Sequence, residues 1–433
     1  MTRTRHLRSA AEERGEASRA GEALAVRYRR VRDTTESLAA PLSAEDSVVQ
    51  SMPDASPVKW HLAHTSWFFE TFVLERMGNG YAPFQPEFRV LFNSYYNTVG
   101  AQHPRPARGL LTRPSLDEVR AYRAHVDRHV SPLLERAEEL PTALRDLVTL
   151  GIHHEQQHQE LVLMDLKHLF AQNPLRPAYR QSAVTRETAL EPLRWHRYPG
   201  STVSIGADGS SFAFDNEQPR HRVIVEPFEI GSRLVTNGEF LAFIEDGGYE
   251  RPELWLSDGW DTVRAQGWRA PLYWEQHEGA WRVMTLGGLR PLRLSEPVCH
   301  VSFYEADAFA RAAGARLPTE VEWETAAAAA PIEGTFLENQ SWQPEPASAR
   351  THGDVPSQLY GDVWEWTRSP YVAYPGYRPP AGAIGEYNGK FMCNQLVLRG
   401  GSFATPRSHI RTTYRNFFPP QARWQFGGFR LAR

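Results

Sequence analysis

The sequence of 433 residues contains only two cysteines, Cys299 and Cys393, too few for a disulfide framework or a four-thiolate metal site. It also has no run of about 20 apolar residues, the length that a membrane helix needs. Charge of neither sign dominates, because 48 basic residues are balanced by 51 acidic ones. Nothing therefore favours nucleic acid or an anionic membrane as a partner. We expect a protein of a reducing compartment, the cytoplasm.

The first 23 residues are rich in Arg and Glu and contain no continuous apolar stretch. They fit neither a secretory signal nor a membrane anchor, and we expect a flexible arm there. Aromatic residues, in contrast, are abundant, with 13 Trp, 16 Tyr and 21 Phe. Most of the Trp follow residue 190. Such side chains bury large areas and keep a polar edge, which suits a loop-rich domain with an aromatic core.

Up to residue 173 the hydrophobic pattern has a helical period. It predicts four helices: Ala23 to Leu38, Lys59 to about Met77, one that begins after Ser115, and one from near Pro141 toward Phe170. Glu118 follows Ser115 at the spacing of a capping box. One long connection, about Gly78 to Pro114, joins the second helix to the third. This arrangement is typical of an antiparallel four-helix bundle.

Beyond a Pro- and Arg-containing linker the helical period is mostly lost. Short strand-like runs such as His221–Glu226 alternate with Gly, Pro and Asp turns. Helices are predicted there at Thr236–Ile244, Tyr304–Ala313 and Glu320–Ala329. The sequence thus predicts an arm (1–23), a helix bundle (24–173), a linker (174–194) and a compact α+β domain (195–433).

Histidines one turn apart on two predicted helices are the clearest chemical signal. His154 and His158 lie at i and i+4 in the fourth helix, so their side chains project from one face. The second helix contains His61 and His64, and His64 lies on the aromatic stripe that should face the bundle interior. We take His64, His154 and His158 as ligands of one metal ion. Neutral imidazoles suit Zn, Cu, Fe and Ni alike, so the residues alone do not select the metal.

These histidine motifs resemble those of a known family. Trp60-His-Leu-Ala-His64 and His154-Glu-Gln-Gln-His158-Gln-Glu160 resemble the DinB-like bundle of the EgtB family, the sulfoxide synthases of ergothioneine biosynthesis. The second half resembles the formylglycine-generating-enzyme-like domain (a C-type-lectin-like α+β fold) that follows the bundle there. Its matching segments are Pro297–Ala308, Arg316–Glu324, Gly361–Thr367, Arg399–Phe403 and Gly427–Arg430. The resemblance covers about residue 24 to the end.

The resemblance implies a metal site in a tunnel between two domains, where His64, His154 and His158 hold Fe(II). It implies a non-haem iron oxidoreductase that uses O2 to join hercynine (Nα-trimethylhistidine) to a thiol as a sulfoxide. In such a reaction the protein places both substrates beside each other, which removes most of the entropic barrier.

Further residues around the metal acquire roles from the same resemblance. Gln157 matches a glutamine that hydrogen-bonds the hercynine imidazole, and Asn416 matches an asparagine that holds the hercynine carboxylate. Phe417 stands where the family often has Trp, and its ring can attract the trimethylammonium group by a cation–π interaction of roughly 0.5–2 kcal/mol. Arg105 and Arg108 match a pair that grips the carboxylate of the sulfur donor, for which a guanidinium fork is well suited.

Two features bear on the identity of the sulfur donor. The branch of the family that uses γ-glutamylcysteine has an acidic residue where this sequence has Phe418. The adjacent Tyr95 and Tyr96 resemble the cysteine-using branch, in which such tyrosines are candidates for proton or hydrogen-atom donation. L-cysteine is therefore the predicted donor, and γ-glutamylcysteine is the alternative. No catalytic role in the second domain is assigned to Tyr371, Tyr374, Tyr377 or Tyr387.

Other functions compete with this one. An ovothiol-type synthase joins cysteine to C5 of plain histidine, but that family usually adds a methyltransferase domain, and this sequence has no glycine-rich nucleotide-binding region. A copper-dependent formylglycine-generating enzyme needs a cysteine pair near the Gly-Gly-Ser strand, where this sequence has Phe403-Ala-Thr405. A lectin-like binding module supported by the bundle would have no need of His154 and His158.

Overall fold

The computed structural model describes residues 23–78, 80–181, 192–347 and 355–433. The first part contains four long helices: α1 (Leu24–Ala39), α2 (Val58–Phe69), α3 (Leu116–Glu135) and α4 (Thr142–Gln172). All four lie where the hydrophobic period predicts them. α2 continues to Met77 through a π turn (Glu70–Leu74) and a 3-10 turn (Glu75–Met77). All but the last residue of the predicted arm lies outside the described residues, as do residues 182–191 of the predicted linker.

A buried charge cluster joins the four helices. The Glu155 carboxylate of α4 accepts hydrogen bonds from Arg32 of α1 and Arg123 of α3, each at 3.0 Å. Arg32 also donates to Ser66 Oγ of α2, and Arg123 donates to the Leu62 carbonyl of α2, both at 2.9 Å. Burial by itself would raise the pKa of Glu155, but the two arginines lower it to about 2. The cluster therefore fixes the rotation of α4 relative to the other helices.

The second part is built from short strands. They are β1 (Trp195–Tyr198), β2 (Ser201–Ile205), β3 (His221–Val225), β4 (Phe228–Gly231), β5 (Trp274–His277), β6 (Ala280–Thr285), β7 (Gly288–Pro291), β8 (Trp364–Pro370), β9 (Leu396–Arg399), β10 (Asn416–Phe418) and β11 (Gly427–Gly428). A four-stranded sheet has the order β10-β9-β8-β11, and smaller sheets pair β1 with β4, β2 with β3, and β5-β6-β7. Gly428 lets β11 approach closely, because a Cβ there would lie 2.4 Å from the Val298 carbonyl oxygen.

Four helices accompany these strands: α5 (Asn237–Glu245), α6 (Ser257–Gln266), α7 (Phe303–Ala312) and α8 (Glu320–Ala327). Three of them were predicted, and each begins with a capping box, as Ser302 and Glu305 form at the start of α7. α6 was missed, because Leu256 stands at its N-cap and no side chain caps it. The three predicted helices thus begin with a capping box, and the helix that was missed does not.

The two parts dock through Glu160 of α4. Trp364 Nε1, Ser402 Oγ and Thr405 Oγ1 of the second part each donate a hydrogen bond to its carboxylate at 2.7 Å. Burial raises the pKa of Glu160, and the three donors satisfy its oxygens. The predicted architecture, a helix bundle followed by an α+β domain, is confirmed. Within the described ranges, no helix has both the length and the apolar character that crossing a bilayer requires.

Replacing Glu155 with Gln should remove the buried carboxylate that two guanidinium groups share. Arg32 then keeps Asp127 as its counter-ion and Arg123 keeps Glu36, and both of these carboxylates are partly exposed. We expect the free energy of unfolding at pH 7 to fall by roughly 3–5 kcal/mol, measured by urea denaturation. The difference from wild type should shrink as the pH falls from 4.5 toward about 2. A carboxylate with a lowered pKa stabilises the fold fully above its unfolded pKa, and this contribution is lost as the pH falls to the folded value.

Glu138 supplies the matched control, because it pairs with Arg145 while its side chain is 98% exposed. Glu138→Gln should change the free energy of unfolding by less than about 1 kcal/mol. If E155Q is as stable as wild type at pH 7, Glu155 does not hold the bundle together.

Candidate metal centre and substrate cavity

A cavity of about 450 Å³ lies between the helix bundle and the α+β domain. α2 and α4 form one wall, and β8, β10 and the loops of the second domain form the other. Most of the predicted site residues line it: Tyr95, Arg105, Arg108, His154, Gln157, His158, Asn416 and Phe417. His64 and Tyr96 are fully buried and lie behind this lining. The fold thus brings together residues that are separated by more than 300 positions in the chain.

Three imidazoles converge on the bundle side of the cavity. His64 of α2 and His154 and His158 of α4 each offer a ring nitrogen within 4.8 Å of the other two. The Nε2 atoms of His64 and His154 are 3.2 Å apart. Trp60 stacks on His64 with ring centroids 4.5 Å apart, and Phe68 stacks on His154 at 4.6 Å. These contacts hold the rings in place, and the cluster could hold a metal ion.

The state of the three rings suits metal binding. Burial lowers the pKa of His64, His154 and His158, in the case of His154 to about 3. They are therefore neutral at physiological pH, the form in which an imidazole binds a metal. His64 Nδ1 donates to the Phe92 carbonyl at 2.6 Å, so its Nε2 keeps a lone pair directed at the cluster. The donor set therefore fits a metal that neutral imidazoles would hold at the edge of the cavity.

His61 lies directly behind this cluster. It is 2% exposed, and its Nδ1 is 2.8 Å from Nδ1 of His158. Its Nε2 is 3.0 Å from the Asp165 carboxylate. The sequence pattern placed His61 near the edge of the helix face and outside the ligand set. The structure also leaves His61 outside the three-histidine cluster, but places it in contact with His158, one of the three rings.

Gln157 is held between two tyrosines of the second domain. Its Nε2 donates to the Tyr414 hydroxyl at 2.6 Å, and its Oε1 accepts from the Tyr387 hydroxyl. The Tyr387 ring lies 5.8 Å from that of His154. Burial raises the pKa of Tyr387 and Tyr414, so both keep their hydroxyl protons.

Tyr387 and Tyr414 were not predicted as site residues. Among the four tyrosines left unassigned, only Tyr387 lines the cavity. It directly follows a 3-10 turn, Gly382–Glu386, in a loop without regular periodicity. No spacing in such a loop reveals which side chain faces the metal cluster, so the sequence offers no signal for it.

Tyr95 and Tyr96 stack on each other with ring centroids 4.7 Å apart. Tyr95 faces the cavity, whereas Tyr96 lies behind it in the bundle and is fully buried. Burial raises the pKa of both phenols. Of the adjacent pair, Tyr95 therefore lines the cavity and Tyr96 packs behind it.

Arg108 is a buried cation without an acidic partner among the described residues. Its side chain stacks on Trp60, with 3.4 Å from the guanidinium carbon to the ring centre, and Nη1 donates to Ser56 Oγ at 2.9 Å. Its Nε has no hydrogen-bond partner in the described part of the chain. Burial, aided by the nearby Arg105, lowers the pKa of Arg108 to about 9. A buried charge in this state favours an anionic ligand.

Asn416 and Phe417 form the start of β10 at the opposite wall. Asn416 lines the cavity, and its Oδ1 accepts from the Phe417 backbone N–H at 2.9 Å. Phe417 stacks on Tyr371 with ring centroids 4.1 Å apart. Arg415, just before them, is fixed by hydrogen bonds of 2.9 and 3.0 Å to the Glu320 carboxylate. This wall is therefore rigidly supported.

Comparisons with known proteins match both halves of the chain. Residues 27–162 match the DinB superfamily, and residues 196–355 and 352–433 match the sulfatase-modifying factor enzyme 1-like domain. The hercynine oxygenase of Mycolicibacterium smegmatis is 34% identical over 415 residues, which cover 88% of this chain and 92% of that protein. The hercynine oxygenase of Mycobacterium tuberculosis is 34% identical over 403 residues, which cover 88% and 91%.

A more distant relative is the ergothioneine biosynthesis protein 1 of Schizosaccharomyces pombe, 25% identical over 361 residues that cover 74% of this chain and 44% of that protein.

A DinB-type bundle joined to a sulfatase-modifying-factor-like domain, with a buried three-histidine cluster at their junction, defines a two-domain oxidoreductase of the oxygenase class. The chain belongs to the hercynine oxygenase family. The resemblance that its motifs indicated is confirmed at the level of the family.

The loop that carries Tyr95 is clamped by Glu386 of the second domain. The Glu386 carboxylate accepts from the backbone N–H groups of Asn97 and Thr98 at 3.0 and 2.8 Å and pairs with Lys390 at 2.9 Å. Against the effect of burial, hydrogen bonds from Thr98 and Lys390 lower the pKa of Glu386 to about 2.

Glu386→Gln should loosen this clamp, because a neutral amide accepts hydrogen bonds less strongly than a carboxylate. We expect hydrogen exchange at the Asn97 and Thr98 amides to accelerate by roughly tenfold. Glu338→Gln is the control, since Glu338 accepts from the Arg407 backbone N–H at another place in the second domain. Unchanged exchange in E386Q would show that the loop is held by other contacts.

Proposed function

We propose that this protein is an Fe(II)- and O2-dependent sulfoxide synthase of ergothioneine biosynthesis, which joins hercynine to L-cysteine and yields hercynylcysteine S-oxide. The observation that carries the proposal is the convergence of three buried, neutral imidazoles at a cavity between two domains. Membership of the hercynine oxygenase family supports hercynine as the first substrate. The volume of the cavity suits two amino-acid-sized molecules.

His64, His154 and His158 would hold the iron. Among the metals that imidazoles favour, a redox-active one is required, since the relatives are oxygenases. When bound, Fe(II) supplies the chemistry that activates O2 and links sulfur to carbon. The three residues occupy the bundle side of the ion, so that both substrates approach from the cavity.

Hercynine fits the wall formed by Gln157, Asn416 and Phe417. Gln157 uses one amide hydrogen and one lone pair of its oxygen for Tyr414 and Tyr387, and it keeps the others for the substrate imidazole. Asn416 can donate an amide N–H to the hercynine carboxylate. The ring of Phe417 offers a face to the trimethylammonium group.

L-cysteine fits the opposite end of the cavity. Its carboxylate would provide a counter-ion for Arg108, which has no acidic partner in the described ranges, with Arg105 beside it. Phe418, which also lines the cavity, offers no charge to a γ-glutamyl ammonium group. Tyr95 would donate the proton or hydrogen atom, with Tyr96 stacked behind it. Tyr387 presents a second hydroxyl to the same space.

The metal role predicts a paired loss. His154→Ala should abolish both the binding of one Fe(II) per chain and hercynine-dependent O2 consumption, because two imidazoles hold the ion too weakly. Metal content by plasma mass spectrometry and O2 uptake by electrode measure the two effects. His277→Ala is the control, since the His277 side chain is 62% exposed on β5; it should change neither. Full activity in H154A would exclude the proposed centre. A lectin-like binding module would instead consume no O2 in either form and would keep its ligand affinity in H154A.

The donor assignment predicts a preference for cysteine. With Fe(II), O2 and hercynine, kcat/KM for L-cysteine should exceed that for γ-glutamylcysteine by at least about tenfold, because the uncharged Phe418 cannot pair with the γ-glutamyl ammonium group. NMR of the product separates a hercynine sulfoxide from the C5-linked product of an ovothiol-type enzyme, with plain histidine as the competing substrate. Faster turnover of γ-glutamylcysteine would overturn this assignment.

A further inference from the structure

We infer that His61 and Asp165 form a positioning dyad that sets His158 as a metal ligand. The inference rests on the proposed metal site. Neither residue belongs to the converging cluster, yet both are buried and both line the cavity. Together with His158 they form a continuous hydrogen-bonded row that ends at the metal position.

The row is anchored at Asp165. One of its carboxylate oxygens lies 3.0 Å from His61 Nε2 and also accepts from the Ser56 backbone N–H at 2.8 Å. A carboxylate only accepts hydrogen bonds, so the His61 nitrogen that faces it carries a proton. The backbone donor fixes where that oxygen lies. Asp165 thus imposes the direction of the first hydrogen bond.

The hydrogen bond from His61 to Asp165 in turn determines which nitrogen of His158 carries a proton. A neutral imidazole has a single N–H, so with Nε2 of His61 donating to Asp165, its Nδ1 accepts. The partner of that Nδ1, at 2.8 Å, is Nδ1 of His158, which must therefore donate. His158 is then protonated on Nδ1 and keeps its lone pair on Nε2. The opposite arrangement would place a proton on Nε2 and close this nitrogen to a metal.

The dyad gives His158 a support that the other two rings lack. His64 donates its Nδ1 proton to a neutral carbonyl, that of Phe92, and His154 Nδ1 has no hydrogen-bond partner in the described part of the chain. A hydrogen bond to an acceptor that is itself bound to a carboxylate orients the ring and makes it a stronger donor to the metal. Among the described residues, His158 is accordingly the one ring of the three whose hydrogen bond leads on to a carboxylate.

The test measures metal affinity in the purified full-length chain. Metal-free wild type, His61→Phe, His61→Asn and Asp165→Asn are titrated with Co(II), whose visible absorption reports on its ligands. His61→Phe keeps a ring but removes the acceptor for His158, and the dissociation constant should rise by 10- to 100-fold. His61→Asn offers an amide oxygen in place of Nδ1 and should restore affinity to within about threefold. Asp165→Asn should weaken binding to an intermediate degree.

His168→Gln is the matched control, because His168 lies on the same helix as Asp165 and bonds instead to Ser51 Oγ at 2.7 Å. It should bind Co(II) as wild type does. Thermal unfolding of each metal-free variant establishes that it is folded. If His61→Phe and Asp165→Asn both bind Co(II) with wild-type affinity and spectrum, the dyad has no positioning role. If wild type itself binds no stoichiometric metal, the proposed metal site fails instead.

Discussion

The structure depends on one buried carboxylate, that of Glu155. Two guanidinium groups from different helices meet it in the centre of the bundle, and such a cluster is tolerated in a dry interior only when every charge is paired. Because the hydrogen bonds are directional, α4 cannot rotate without breaking them. His154 is adjacent to Glu155, and His158 follows one turn later on the same helix. The rotation that satisfies Glu155 therefore also sets the direction in which both imidazoles point.

The second constraint acts at the other end of the same helical stretch. Glu160 attaches α4 to the second domain through three hydrogen bonds, and between it and Glu155 lies Gln157, which two tyrosines of that domain hold. Seven consecutive residues of one helix, 154–160, thus contain two of the converging histidines, the bundle anchor, an amide that lines the cavity and the domain anchor. Because α4 is attached to both domains, the side chains that it contributes to the cavity are held rigidly relative to both walls.

The sequence predicts what periodicity and local motifs encode. The bundle helices, the capping box of Ser115 and Glu118 and the convergence of three histidines follow from spacing and from the aromatic stripe of the second helix. The family resemblance extended this to the residues that line the cavity. The contribution of Tyr387 could not be predicted, since a loop aligns its side chains by tertiary contacts. Likewise, spacing within one helix placed His61 near the edge of the helix face. It could not reveal that Asp165 of the neighbouring helix gives the His61 ring a buried partner.

The metal site and the proposed cysteine site share a frame of side chains. Arg108 stacks on Trp60, and Trp60 stacks on His64. Arg108 also donates to Ser56 Oγ, while the Ser56 backbone N–H donates to Asp165. The residue proposed to bind the sulfur donor is thereby linked to the metal cluster along two independent paths of direct contacts. In a close-packed interior, an anion that fixes the guanidinium group also limits the movement of the rings packed against that group. Binding of the sulfur donor at Arg108 should therefore also order the histidine rings of the proposed metal site.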